Sequence, residues 1–290
     1  MTYIFEDFME TFIIEQEVIP KMVNLLGKTN PSVLNHLLYI IGNLTSRDHL
    51  KSKEYFLKNT ELKSKLLEFL PTIKPNFIRK NLLWNISNII HSYSLGEKEY
   101  ILNILNEDYL KSLESNRGVL REALIIIVSI SNTSDEVILD ILFKLNIHET
   151  IMLSIKAISE TMENKDIMLQ IQLARINCNL TMASPSQIKV THLFIKKIFK
   201  CDFVEIYEDL LTKIINNTDF SKDYKILSRE ICLCIANIIG TNENLTSIIV
   251  KDTRLCELIL QLDTIFKDNN VNFFIIFRLK VRLFVAFSML

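Results

Sequence analysis

The chain has 290 residues, nearly half of them hydrophobic, and a formal net charge of −1, which is room for two ordinary domains or one elongated array. A near-neutral molecule has no overall field to drive nucleic-acid binding. Only five glycines and no GxGxxG or GxxxxGK[ST] pattern argue against a phosphate-cradling fold.

In chain order, the N-terminal MTYIFEDFMETF carries acids where a secretory signal needs bases. A helix over VIPKMVNLLGKTNP follows, then a long apolar helix over NHLLYIIGNLTS from Asn35. The same order returns with LKSKLLEFLPTIKP before KNLLWNISNII, and Pro31 and Pro75 stand where the second helix of each set should stop and the third begin. Further long helices read REALIIIVSISN from Arg121, QLARINCNLTMA from Gln172 and REICLCIANIIG from Arg229, with a weaker copy in the tail, VRLFVAFSML. NNTDFSKDY and ENKD mark polar breaks between them, and no linker of low complexity interrupts the series. Copies recur at roughly 40 to 60 residues, the spacing of helical repeats built from two or three helices. The reading is all-α, a right-handed α-solenoid of about six units, divided at 1–46, 47–93, 94–133, 134–184, 185–241 and 242–290. The final run reaches Leu290 without a polar capping unit, so a covering partner or a truncated product is expected there. ALIIIVSIS and NFFIIFRLKVRLFVAFSML are too short or too charged for membrane spans, so no membrane partner is expected.

Aligned without gaps, the long helices share one polar column: Asn43, Asn88, Ser129, Asn179, Asn237 and Ser288. Residues four apart lie one turn apart on one helix face. Tyr39 therefore accompanies Asn43, Trp84 accompanies Asn88, and Arg175 accompanies Asn179. An Asn amide both donates and accepts, which suits a sequence-neutral grip on an extended peptide backbone. An aromatic face beside it suits the methylene stem and charge of a lysine. The competing reading is internal: a repeated Asn can bond a neighbouring helix and hold the stack together, leaving a scaffold that binds folded partners through other faces. A net positive groove between Tyr39 and Glu122, set by Arg47 and Arg79, would favour that scaffold.

EVIPKMVNLLGKTNPSVLNHLLYIIGNLTS resembles an armadillo repeat, and the run of helices over nearly all the chain resembles importin alpha, the adaptor for nuclear localisation signals. RKNLLWNISNI is similar to that family's Trp-x-x-x-Asn helix, including Asn81 one turn before Trp84. REALIIIVS keeps an acid, Glu122, at a signal-contacting position, and LARINCNL matches the repeat in which Arg175 replaces the tryptophan. The resemblance implies that Tyr39, Trp84, Asn43, Asn81, Asn88, Glu122, Arg175, Asn179 and Asn237 hold a Lys/Arg-rich signal peptide. Tyr39 and Trp84 would sandwich lysine stems and Glu122 would neutralise an ammonium. The partners implied are proteins bearing such signals, and the locations implied are cytoplasm and nucleus. The departures are plain. The tryptophan column runs Tyr39, Trp84, Ile125, Arg175, Leu233, Phe284, and the column one turn before it runs His36, Asn81, Glu122, Gln172, Glu230, Val281. Two acids there imply that a second, C-terminal signal site is absent. Arg47, beside Asp48, stands where the family has an acid, and no basic N-terminal segment for importin beta is present.

Other chemistry finds no pattern. The five cysteines, Cys178, Cys201, Cys232, Cys234 and Cys256, lack CxxC spacing and read as reduced thiols of the cytosol or nucleus. The histidines are scattered through different units without metal-ligand spacing. N-x-T triplets at Asn43, Asn179, Asn216 and Asn244 read as chance matches in a chain without a secretion signal. Lys-rich segments such as FIKKIFK lack aromatics for base stacking. No catalytic constellation, cofactor or metal is expected.

Overall fold

The computed structural model describes residues 17–28, 30–46, 51–160, 166–182, 188–217, 222–241, 243–251 and 253–265. Arg47, Asp48, Val281, Phe284 and Ser288, singled out in the sequence, lie outside these residues. The described residues form helices and no strands. In chain order these are α1 (Val18–Leu25), α2 (Pro31–Thr45), α3 (Lys51–Lys58), α4 (Thr60–Phe69), α5 (Asn76–Ile89), α6 (Leu95–Ile104), α7 (Glu107–Ser112) and α8 (Arg117–Ser131). They continue with α9 (Glu136–Lys144), α10 (Ile147–Glu160), α11 (Ile167–Thr181), α12 (Ile188–Lys200), α13 (Phe203–Asn216), α14 (Lys222–Thr241), α15 (Glu243–Lys251) and α16 (Leu255–Ile265). The long helices that share the polar column are α2, α5, α8, α11 and α14. No described helix is long and apolar enough to cross a membrane.

Local chemistry sets the boundaries. Pro31 occupies the first turn of α2, where a missing N–H costs nothing, and Asn30 Oδ1 accepts from Val33 N at 3.0 Å. Pro75 sits at the N-cap of α5. Ser94 and Glu97 form a reciprocal capping box at the start of α6. With so few glycines, the corners between first and second helices fall to Asn and Asp. Asn59 and Asn106 cap α4 and α7 by accepting from Leu62 N and Tyr109 N. Asn146 and Asp202 turn the chain with φ of 50° and 56°, a left-handed conformation that short polar side chains tolerate better than most.

The chain divides into two compact units, Met1–Ile130 and Ser131–Leu290. In the first, α2 packs along α5, with α4 against α5; Leu38, Ile41, Leu82, Leu83 and Ile86 are fully buried. In the second, the long helices α11 and α14 lie side by side, while α10, α13 and α16 pack successively as a second layer. Neighbouring triplets thus cover apolar stripes that a lone triplet would expose.

One polar residue in the second unit is out of place. His148 on α10 is buried, stacked on Phe143 at 5.8 Å and edge-on to Phe194 at 5.9 Å, and neither ring nitrogen has a hydrogen-bond partner. Burial, reinforced by Lys197, pushes its pKa down to about 4. An unfolded histidine titrates near 6.5, so the unfolded chain binds the extra proton first. The stability from the neutral ring is fully present above about pH 6.5 and is lost as pH falls towards about 4. Thermal unfolding followed at pH 7, 6, 5 and 4 should show the melting temperature falling through that window, and His148→Phe should flatten the fall.

Candidate functional site

The polar column of the long helices is built on α2 and α5 in the first unit. α5 turns three amides towards α2 along one stripe. Asn81 Nδ2 donates to Asn35 Oδ1 at 2.9 Å, Asn85 Nδ2 to Leu38 O at 2.7 Å, and Asn88 Nδ2 to Gly42 O and Thr45 Oγ1, both at 3.1 Å. The second unit repeats the device. Asn237 Nδ2 of α14 donates to Cys178 O of α11 at 3.2 Å, and Asn179 Nδ2 donates to Ser131 Oγ at 3.0 Å. Asn43 donates within its own helix, to Tyr39 O at 2.9 Å.

This places the sequence-derived site residues differently from the resemblance. The amides of Asn88, Asn179 and Asn237 use their N–H groups to join helices, so they do not form a free donor row for a guest. Each Asn also has a carbonyl oxygen. Those of Asn88 and Asn237 accept no hydrogen bond among the described residues and are not buried. They remain as acceptors. Asn81 is half-buried and joined to α2, which makes it a packing residue.

Two of the four N-x-T triplets acquire a structural reason. Thr45 and Thr181, two residues after Asn43 and Asn179, are fully buried and return their hydroxyl protons to their own helices at Ile41 O and Asn177 O. Thr45 then accepts from Asn88 of the following long helix. Thr181 instead lies 3.6 Å from Cys234 Sγ of α14, while Asn237 donates to Cys178 O. Asn85 went unnoticed in the sequence because it sits between two apolar columns. It is buried, and its Oδ1 is left without a partner.

The aromatic pair is exposed but closed upon itself. Tyr39 is 54% exposed and Trp84 is half-buried. Their ring centroids lie 6.1 Å apart at an interplanar angle of 45°. A methylene stem between two ring faces needs about 7–8 Å, twice the carbon–carbon contact distance. Tyr39 and Trp84 therefore make one tilted platform, with no slot for a lysine between them. The indole lies on α2 because Gly42 has no side chain: a Cβ there would stand 2.5 Å from Cε3 and Cζ3 of Trp84.

The charges are arranged against a basic guest. Glu122 on α8 is buried and lies 3.6 Å from Arg121 Nη1. Burial pushes its carboxyl pKa up, against the opposing pull of Arg121 and Lys80. In the second unit Glu230 is likewise buried, and its Oε1 takes both Arg175 Nε at 3.2 Å and Arg229 Nη2 at 2.7 Å. Arg175 is thus engaged with a carboxylate of its own chain. Arg79, expected to charge the groove, instead donates to Ile73 O at 3.1 Å and lies over the Tyr109 ring. No group of three or more His, Cys, Asp and Glu placed to hold a metal occurs among the described residues.

Two substitutions separate packing from platform. Asn88→Ala removes two inter-helix hydrogen bonds and should lower unfolding free energy by about 1–2 kcal/mol, read by chemical denaturation. Gly42→Ala forces the indole off α2. Trp84 is the sole tryptophan, so its emission should shift to the red, with a stability loss of about 1–2 kcal/mol from overpacking.

No family model matches the chain, and no curated protein matches it in sequence. Solved structures do resemble it. An engineered protein superposes with a TM-score of 0.65 at 14% identity, covering 92% of this chain and 98% of its own. The designed armadillo repeat protein YIII(Dq)4CqI gives 0.61 at 14% identity, covering 91% and 98%. The designed armadillo repeat protein YIII(Dq.V1)4CPAF, in complex with the peptide (KR)4, gives 0.59 at 15% identity, again covering 91% and 98%. At these identities the likeness concerns the fold: this is an all-α solenoid of armadillo type.

Proposed function

We propose that this protein is a peptide-binding armadillo scaffold, not an enzyme, and that the α2–α5 face of the first unit holds an extended segment of a partner protein. The observation that carries the reading is the Tyr39–Trp84 platform. With Tyr39 exposed and Trp84 half-buried beside it on a helical face, next to the unused acceptor of Asn88, the pair offers apolar contact and one backbone hydrogen bond to a strand laid across it. Trp and Tyr are the side chains most often found to dominate such contacts. Designed armadillo proteins made for modular peptide recognition are among the structural neighbours, which supports a peptide as the guest.

A second, finer reading is an importin-alpha-like adaptor that carries proteins with Lys/Arg-rich nuclear localisation signals between cytoplasm and nucleus, with importin beta as a further partner. The similarity of α5 to that family's groove helix supports it, as does the (KR)4 peptide held by one neighbour. Against it stand the closed aromatic pair and the burial of Glu122 beneath Arg121.

Peptide display against the immobilised chain should select extended ligands that change Trp84 emission on binding. Trp84→Ala should weaken the selected peptides by about thirtyfold, the effect of losing about 2 kcal/mol at an anchor. Ligands that bind equally well to Trp84→Ala, without touching its emission in the parent protein, would show that the face is not the site.

A further inference from the structure

On the reading that the α2–α5 face holds a peptide, we propose that its guest is acidic: an extended segment whose carboxylates are taken by Lys80 and Arg121.

The inference starts from which charges α2, α5 and α8 carry. Their sequences hold Arg79, Lys80, Arg117 and Arg121 against a single carboxylate, Glu122, in a chain whose overall charge is −1. These three helices together are net positive within a nearly neutral chain. Arg79 is occupied by Ile73 and Tyr109 on its own side of the unit. Lys80 and Arg121 are different. Both precede by four residues a member of the tryptophan column (Trp84 and Ile125), so each lies one turn from it on the same helix face. Lys80 is exposed and makes no hydrogen bond or ion pair at contact distance among the described residues. Arg121 keeps 42% of its side chain exposed and reaches Glu122 only at 3.6 Å, beyond hydrogen-bond range. Its Nε is buried without a partner. A guanidinium has five donors in a planar fork; here none is taken by a described residue.

The one internal counter-charge is poorly placed to neutralise this pair. Glu122 is almost wholly buried, and burial disfavours its ionised form. Lys80 reaches across towards α8, its Cδ passing 3.9 Å from where a Cβ on Gly118 would stand. The cations of adjacent long helices therefore converge over a weak internal acid, and a guest carboxylate can supply the hydrogen bonds that Glu122 does not. The second unit shows the finished version of such a site within the chain. There a single carboxylate oxygen, Oε1 of Glu230, receives Arg175 from one long helix and Arg229 from the next. In the first unit Arg121 stands where Arg229 does, Trp84 holds the column position of Arg175, and the cation that the preceding long helix brings towards Glu122 is Lys80.

The occupant that fits is a peptide with an acidic residue for Lys80 and Arg121 and an apolar or aromatic residue for the Tyr39–Trp84 platform. A lysine-rich strand meets repulsion from both cations and finds no gap between the rings.

The test uses the full chain and three fluorescent peptides of equal length: one rich in Asp and Glu with a central Leu or Phe, one (KR)4, and one uncharged. Anisotropy titrations at low and high salt, with Trp84 emission followed in parallel, give the affinities. The acidic peptide should bind tightest and weaken as salt rises. Lys80→Glu with Arg121→Glu should weaken it by about tenfold or more, the loss of at least one charge-assisted hydrogen bond. A control with the same change in net charge, Lys58→Glu with Lys144→Glu, should leave it unchanged. Lys80→Gln with Arg121→Gln gives the same reading should the reversals perturb folding. Tighter binding of (KR)4, lost in Trp84→Ala, overturns the acidic assignment and leaves the peptide face standing. No response of Trp84 to any peptide removes the face itself. Acidic binding that ignores the Lys80 and Arg121 variants overturns the assignment to these residues. A single-stranded oligonucleotide that outcompetes the acidic peptide shows that the cations serve nucleic acid instead.

Discussion

The hydrogen bond from an asparagine amide of one long helix to the main-chain carbonyl of the preceding one is the constraint on which the rest is arranged. Asn88 to Gly42 in the first unit and Asn237 to Cys178 in the second occupy the same alignment position on both sides of the bond. Apolar stripes alone let helices slide and rotate against one another, because hydrophobic contact is non-directional. An amide bonded to one particular carbonyl fixes both rotation and height. Asn85 and Asn81 add bonds on the same stripe of α5, so α2 and α5 meet in a single register. The oily helix keeps its amides because burial without such partners would cost more than their removal.

That register determines what the face offers. With α5 fixed on α2, the Trp84 ring falls over Gly42, the one long-helix position in the described residues where a glycine admits it. The indole is then held against backbone on one side and tilted against Tyr39 on the other. The amides that hold the stack cannot also grip a ligand with their N–H groups, so packing and recognition share one residue by dividing its two polar atoms. Two acids on the long helices follow the same division: Glu122 and Glu230 are buried, while Arg121, Arg175 and Arg229 beside them stay partly exposed.

Much of the fold was legible because helical periodicity, proline stops and a recurring polar column are local signals. The triplet order and the long helices α2, α5, α8, α11 and α14 follow from them directly. The corners at Asn59, Asn106, Asn146 and Asp202 were not recognised, although they recur between first and second helices, because Asn and Asp are common in this chain and their turn geometry shows only with φ in hand. The candidate face was legible in membership but not in orientation. Sequence spacing puts Trp84 and Asn88 on one side of a helix, yet it does not say which atom of an amide points inward, or that Tyr39 and Trp84 touch. Likewise Glu122 reads as a contact for a cation from its column alone. Its burial depends on packing between helices far apart in the chain, and Arg121 beside it was visible in the sequence without its consequence being so.

The inward commitment of both Asn88 N–H groups leaves that residue only its carbonyl oxygen, an acceptor for the N–H of a backbone laid over it. A strand whose nitrogen opposite Asn88 belongs to proline brings nothing to give, since a tertiary amide has no hydrogen there. On the proposed reading, such a surface would sort its guests by where their prolines fall as well as by their charge.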